Sequence, residues 1–600
     1  MDSDQFLPPI PRALSDEELQ EVLDRAKADG GGILAAMQIL EAQAQLRETD
    51  KSSFRAWQSQ QADVGSEEEL ATQLDETFAA KTAKPMIEVV PDQKIKVVST
   101  PGVEDVLQPI QEIPVEIVVQ TKRLAKDPSS SQFWVWLPIS GSLLPFGLAL
   151  WLRSLGLSFG QSLTAALLGI LVSAGIVAVG SIAGKRSSLP TLVLSRAAFG
   201  VLGNLGPAVI LVISRLFWAL VLVILGYLLI GQNLTTVSRI AGSSEPTSWV
   251  AVAILGLLVL LSVVLSSFGG KKLVWAQRVS GLLGIFTAIA IACVKISGSG
   301  VAVQSNESGS WLRALGAAVV VFAIFGLAWS SASSDYASGL PVRVRGWKVA
   351  AWAFLAMGIV PAALATLALL AFGNLTDHDF ASSFNGLVAG SSLSFLAILV
   401  QASLTVTLVT TIAMSLRSSS MSFESIHLKL KPPIATPVIA LIAVSLAVVG
   451  LSRLGPTGFW FNLNGYAIFL AVPVAAWSGI FVADVLIRRI AYHEVSLSRS
   501  YGFYKAVNFT NTLGWLLAVV LGWGLTKSQL VEFQWLGFFA DRSANANFWS
   551  QSNFGVVIAF AIGLLLPVAG GIPRIKLQEA KVLAIEARRN DLRDVLGLVD

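Results

Sequence analysis

From Phe133 onward the chain alternates between long apolar stretches and short polar, basic loops. A run of about 20 apolar residues crosses the ~30 Å hydrocarbon core of a bilayer as a helix. Twelve such runs are predicted, at 133–152, 160–183, 206–230, 248–268, 279–296, 312–334, 349–372, 386–415, 434–451, 461–487, 504–525 and 554–573. Two of them are damaged. The first carries Pro138, Ser140, Gly141, Ser142 and Pro145; the sixth carries Gly326 and then Ser330, Ser331, Ser333, Ser334 and Asp335. Unpaired backbone N–H and C=O groups cost several kcal/mol in lipid, so broken backbone at membrane depth belongs where it is buried in protein or lines a cavity. Two broken spans, five apart, predict an inverted repeat of spans 1–5 and 6–10 with both breaks at a midplane binding site, and spans 11 and 12 accessory.

Before Phe133 the pattern is different. Ser15 and Ser66, each followed three residues on by Glu, fit capping boxes and predict helices near Ser15–Glu48 and Ser66–Ala80. Pro85, Pro91, Pro101, Pro109 and Pro114 then punctuate an extended linker. The expected organisation is an acidic cytoplasmic region and linker at 1–130, a transporter core at 131–490, accessory spans within 491–573 and a charged, solvated helical tail at 574–600. The N-terminal region reads as a regulatory or tethering arm, open to a cytoplasmic protein partner.

Composition agrees: of 600 residues 54% are hydrophobic and 14% charged, as in a multi-span membrane protein. The net charge of +4 hides an acidic arm, since residues 1–120 hold 23 Asp/Glu against 10 Lys/Arg. Beyond it the basic residues cluster in alternate loops, sixteen in the five predicted inner loops against six in the outer ones. That asymmetry predicts both termini in the cytoplasm, a multi-pass protein of the inner or plasma membrane, and no nucleic-acid groove. The single Cys293 lies in an apolar run, and His378, His427 and His493 fall in loops without ligand spacing, so no metal centre or enzyme constellation is read.

The candidate chemistry lies in spans 1, 3, 6 and 8. Arg215 in span 3 is an intramembrane charge, functional by default, with snorkelling to the inner interface or structural pairing with an acid as the alternatives. Trp218 follows it on the same face, and Trp329 sits in the damaged span 6 beside Gly326 and Ser330. Two indole rings on facing helices would sandwich a flat heterocycle, and backbone exposed near Ser142 would read its polar edge. In span 8, Thr405, Thr407, Thr410 and Thr411 supply hydroxyls which, with Ser140, suit a Na+ site; helix packing is the plainer reading of any one of them. Arg215 offers the other route, a fixed charge in place of a bound ion with protons coupling. No cofactor is expected beyond Na+ or H+.

Four pieces of sequence resemble the nucleobase–cation symporter-1, or purine–cytosine permease, family. They are Gly156-Leu-Ser158; Leu189–Gly203 with its Arg196 and Phe199-Gly200; Trp329–Tyr336 followed by Leu340-Pro341; and Ile480–Asp484 with Arg488-Arg489, Tyr501-Gly502 and Asn508. The resemblance covers about Phe133 to Gly524. It implies an all-α LeuT-like fold, five plus five inverted spans with two accessory helices, and cation-driven uptake by alternating access. It also implies that Trp218 and Trp329 stack on substrate. Leu222 stands where several members have a polar residue, and Leu404 or Thr405 where the family has an Asn that reads the base edge, which widens the expected ligands to hydantoin-, allantoin- or vitamin-like rings. The reading that results is a symporter importing a nucleobase or related planar nitrogen heterocycle. The alternatives are an amino-acid or amine carrier on the same fold, or a transporter-like receptor signalling through the N-terminal arm.

Overall fold

The protein is described here by a computed structural model. It covers residues 128–595 except 242–247, 269, 302, 304–308, 339, 342–343, 373–393, 429, 500–501 and 529, so the helices expected in the N-terminal arm lie outside the described residues. The described part is all helical. In chain order the helices are α1 (Ser131–Ser140), α2 (Leu144–Ser154), α3 (Phe159–Lys185), α4 (Thr191–Leu194), α5 (Arg196–Phe199), α6 (Leu205–Ala241), α7 (Ser248–Phe268), α8 (Gly270–Ser299) and α9 (Trp311–Ile324). They continue as α10 (Gly346–Phe354), α11 (Val360–Ala371), α12 (Ser394–Ser422), α13 (Pro432–Ile487), α14 (Glu494–Ser498), α15 (Phe509–Leu525), α16 (Ala546–Ser552), α17 (Gly555–Gly570) and α18 (Ile572–Val595).

Among the described residues eight segments are long and apolar enough to cross a membrane, and ten if two bent helix pairs each count as one crossing. Among the described residues apolar helices overlap the expected positions, though α15 is short, at 17 residues. The expected ninth and tenth spans are drawn out as one helix, α13, which turns at Gly455, where φ is +67°. A single glycine in the left-handed region breaks the hydrogen-bond ladder there without strain. Between α10 and α11 a π-turn at Leu355–Ile359 precedes Pro361, whose ring supplies no N–H to the ladder.

The two damaged spans are interrupted, each in its own way. Span 1 is α1 and α2, bent by 41° across Gly141–Leu143. Span 6 begins as α9, leaves helical geometry at Phe325 (φ −85°, ψ −99°), and continues as a 3-10 turn, Leu327–Ala332, and further turns. The freed polar groups of span 6 are met by α3 and its following loop. The Gly326 N–H donates to Ser173 Oγ (3.0 Å), Ser181 Oγ donates to the Ser333 carbonyl (3.2 Å), and the Ser334 N–H donates to Thr191 Oγ1 (3.0 Å). Small residues on α3 make this possible: a Cβ built on Gly184 would stand 2.2 Å from the Ser334 carbonyl oxygen. Close backbone approach through Gly and Ser is the usual way helices associate in lipid.

One expectation about the tail is corrected. The helix from Ile572 is not simply solvated, because Ile575, Gln578, Glu579 and Val582 are buried. Its apolar and polar residues recur at three- and four-residue spacing, which gives the helix a face to dock with.

Candidate functional site

The site assembles where α1, α6, α8, α12 and the broken span 6 converge. Trp329 is buried at its centre. The Trp136 ring meets it edge-on (centroids 6.2 Å apart, 80° between planes), and Trp136 also meets Tyr336 edge-on at 5.7 Å. The Tyr336 hydroxyl donates to the Met414 carbonyl of α12 at 2.6 Å. The Arg215 guanidinium lies over the face of Trp329, 5.4 Å from its centroid, where the ring quadrupole attracts a cation.

Arg215 is 2% exposed and does not snorkel. Its Nη2 donates to Ser418 Oγ, which in turn donates to Asp335 Oδ2. The other carboxylate oxygen accepts from the Thr191 N–H (2.8 Å) and the Thr191 hydroxyl (2.7 Å). Span 3, span 8, the end of span 6 and the loop before span 3 are thus joined through one buried charge pair. Of the two alternatives to a binding role for Arg215, snorkelling is excluded and pairing with an acid is observed. The sequence reading named Asp335 in span 6 without matching it to Arg215, and did not single out Ser418. The signal was present: an acid within an apolar span needs a buried cation as partner, and Arg215 was at hand.

The remaining candidates are placed as follows. Trp218 is half-buried, and its ring meets Phe217 edge-on at 5.2 Å; it is Trp136 that faces Trp329. The Ser330 hydroxyl meets Ser478 of α13 at 3.0 Å. Gly326 serves close approach, since a Cβ there would lie 2.4 Å from the backbone of Ser173. Ser140 and Ser142 return their hydroxyls to span 1 itself, Ser140 to the Trp136 carbonyl (3.1 Å) and Ser142 to the Ile139 carbonyl (3.1 Å). Thr405 is half-buried. Thr407 and Thr410 face Ser280 of α8, at 3.4 and 3.0 Å, while Thr411 is buried with its hydroxyl unpartnered.

The α8 helix brings that hydroxyl cluster to the break in span 1. A Cβ on Gly281 would meet the Leu137 side chain at 2.4 Å, and one on Gly284 would lie 2.1 Å from the Gly141 carbonyl oxygen. Only glycine permits this contact.

At one end of the bundle, the segment from Ser187 to Asn204 ties together the ends of several spans. Glu494 accepts from the Ser188 N–H (2.5 Å) and the Ser188 hydroxyl (2.7 Å), and Arg196 donates to carbonyls of Leu497 (2.7 Å) and Glu424 (2.9 Å). Gln578 of α18 donates to the Ala197 carbonyl (3.2 Å) and accepts from Arg488 Nη2 (2.7 Å), which pairs with Asp484 (3.0 Å). Burial by itself would raise the Glu494 carboxyl, but the hydrogen bonds from Ser188 and Ser187 hold it below the ordinary range.

The comparisons with known proteins bear on this geometry. A family described as permeases for cytosine/purines, uracil, thiamine and allantoin matches residues 120–550. The chain belongs to this family. A curated relative, the putative purine-cytosine permease YxlA of Bacillus subtilis (strain 168), is 22% identical over 381 residues, covering 61% of this permease and 78% of the relative. Mhp1, a nucleobase-cation-symport-1 family transporter solved closed with bromovinylhydantoin bound, matches with TM-score 0.55 at 16% identity, over 73% of this permease and 91% of that chain. Its inward-facing form matches with TM-score 0.52, over 75% and 90%. The permease is therefore a multi-pass membrane transporter with the fold of those neighbours, and the resemblance read in its motifs is established as family membership.

Proposed function

We propose that this permease is a secondary symporter importing a nucleobase or a related planar nitrogen heterocycle by alternating access, with twelve spans, an inverted five-plus-five core and both termini cytoplasmic. The observation that carries the reading is Trp329, seated on interrupted backbone with a guanidinium on one side and a second indole against it. A flat, polar-edged ligand gains from such a ring, and the interrupted spans on either side are the segments able to move. Trp218, Gly326, Ser142, Ser330 and Thr405 line or support the same path. Trp329→Ala should abolish uptake of the transported heterocycle while leaving a monodisperse folded protein; full uptake in that variant would move the site elsewhere.

We assign Na+ as the coupling ion. The support is chemical: Thr407, Thr410, Thr411 and Ser280 offer uncharged hard oxygens beside the break in span 1, with Ser140 nearby on α1. Arg215 is already matched by Asp335, so its charge does not stand in for an ion.

A further inference from the structure

Gln277 is wholly buried, 0% exposed, and both atoms of its side-chain amide, Oε1 and Nε2, lack a hydrogen-bond partner. It lies on the buried stripe of α8 that also carries Ser280, Gly281 and Gly284, three to seven residues on. That stripe faces α1 and α12. The helices α8 and α12 run antiparallel: Ser280 meets Thr410, while Arg417 Nη1 reaches the Ser266 carbonyl just before α8 begins. One turn from the Ser280–Thr410 contact, toward Arg417, Gln277 is therefore level with the turn of α12 at Ala413 and Met414. The indole N–H of the fully buried Trp136, on the neighbouring α1, is unpartnered too.

A buried amide with neither atom bonded is costly, and sequence gives no packing reason for it: Leu or Met would fill the same volume without that cost. The arrangement makes sense when something bound satisfies it. A cation would use only Oε1 and would leave the amide N–H groups, which repel it, still unpaired. A planar heterocycle with an adjacent C=O and ring N–H satisfies both atoms at once. We infer that Gln277 is a specificity-determining residue of the permease, reading the amide-like edge of its heterocyclic substrate, with the Trp136 N–H completing that polar wall. This rests on the heterocycle symporter reading above.

The test uses the full-length purified protein in detergent, with cytosine, adenine, uracil, thiamine and allantoin as probes and Na+ as a second variable. A ligand that binds the folded state raises the unfolding temperature by mass action. Gln277→Leu should raise the unfolding temperature of the ligand-free protein, because an unpaired amide is removed, and should weaken binding of the probe that stabilises wild type by about 10- to 100-fold, the loss of one or two neutral hydrogen bonds. The Na+ concentration giving half-maximal stabilisation should stay where it is. Gln277→Glu keeps the size but removes the donor half; it should weaken the same probe, again at unchanged Na+ dependence. A lower ligand-free unfolding temperature in Gln277→Leu, unaltered probe affinity in both variants, or a shifted Na+ dependence in Gln277→Glu would each overturn the inference while leaving the symporter reading intact. Wild type that answers to none of the five probes, and accumulates none in proteoliposomes, would overturn that reading and this inference with it.

Discussion

The charge pair beneath Trp329 gives the most exacting test of the architecture. Arg215 and Asp335 are 2% and 6% exposed and are joined through a single hydroxyl, that of Ser418. Two hydrogen bonds of ordinary length in series put the charges about 5–6 Å apart, and at an effective dielectric of ~20 their attraction is about 3 kcal/mol. Asp335→Asn removes that attraction and strands a guanidinium in the interior; breaking a buried pair by one partner costs about 3–5 kcal/mol. Arg215→Met strands the carboxylate instead, which still keeps its two bonds from Thr191 and so should suffer less. With both replaced no buried charge is left, and the double variant should recover about 3 kcal/mol relative to the sum of the single losses. The measurement is a double-mutant cycle on unfolding in mixed micelles, with Ser418→Ala as the variant that cuts the bridge and leaves both charges. Additive losses, with no recovery in the double variant, would refute the claim that these side chains are coupled.

Replacing Na+ by choline at constant pH should abolish accumulation of substrate in proteoliposomes, and uptake that instead follows an imposed pH gradient would make the proton the coupling ion. Gly284→Val should destabilise by about 1–3 kcal/mol through overpacking against the Gly141 carbonyl, read as lost monodisperse protein, whereas Gly175→Ala, with no atom within 4 Å of the added carbon, should behave as wild type. The docking of α18 should be acid-sensitive. Burial works to raise Glu579, yet its bonds from Lys576 and from the N–H groups of Arg489 and Ile490 hold it below its ordinary range. A carboxylate with a depressed folded value stabilises fully above its unfolded value, about 4.3, and loses that contribution as pH falls through the folded one. Protection from hydrogen exchange along α18 should therefore fall below about pH 4 in wild type, and Glu579→Gln should be less protected at neutral pH and show less of that acid step.

Much of the fold was legible because lipid imposes one simple requirement. A span must satisfy its own backbone and cover it with apolar side chains, so the positions of the helices follow from apolar length, and the two interruptions follow from Gly, Ser and Pro where Leu is expected. Boundaries were less legible where the apolar pattern does not stop at a helix end. The predicted fifth span began at 279, but α8 starts at Gly270, because Trp275, Leu273 and Val274 continue the pattern past the basic Lys271 and Lys272. The tail was misread for a related reason. Its mean hydropathy is polar, and only its periodicity marks the buried Ile575 and Val582.

The site was legible by residue type and not by partner. Arg215 and Trp329 stand out in sequence because each is costly or conspicuous in a span, yet what each touches depends on crossings far apart in the chain: Asp335 lies 120 residues beyond Arg215 and Ser418 a further 83. Pairing therefore has to be argued from charge balance. An isolated intramembrane Arg demands an acid, and the acid closing the span 6 motif meets that demand at a depth set by the bend. The hydroxyls of span 8 teach the converse. Thr407 and Thr410 were picked out as a cluster, but their partner is Ser280, which no local pattern marks. What places Ser280 there is the pair of glycines beside it, which lets α8 sit against the broken turn of span 1 closely enough for short polar side chains to meet. In this permease the glycines of one helix decide how near the polar groups of two others can come, and residue-by-residue reading of a sequence is blind to that kind of cause.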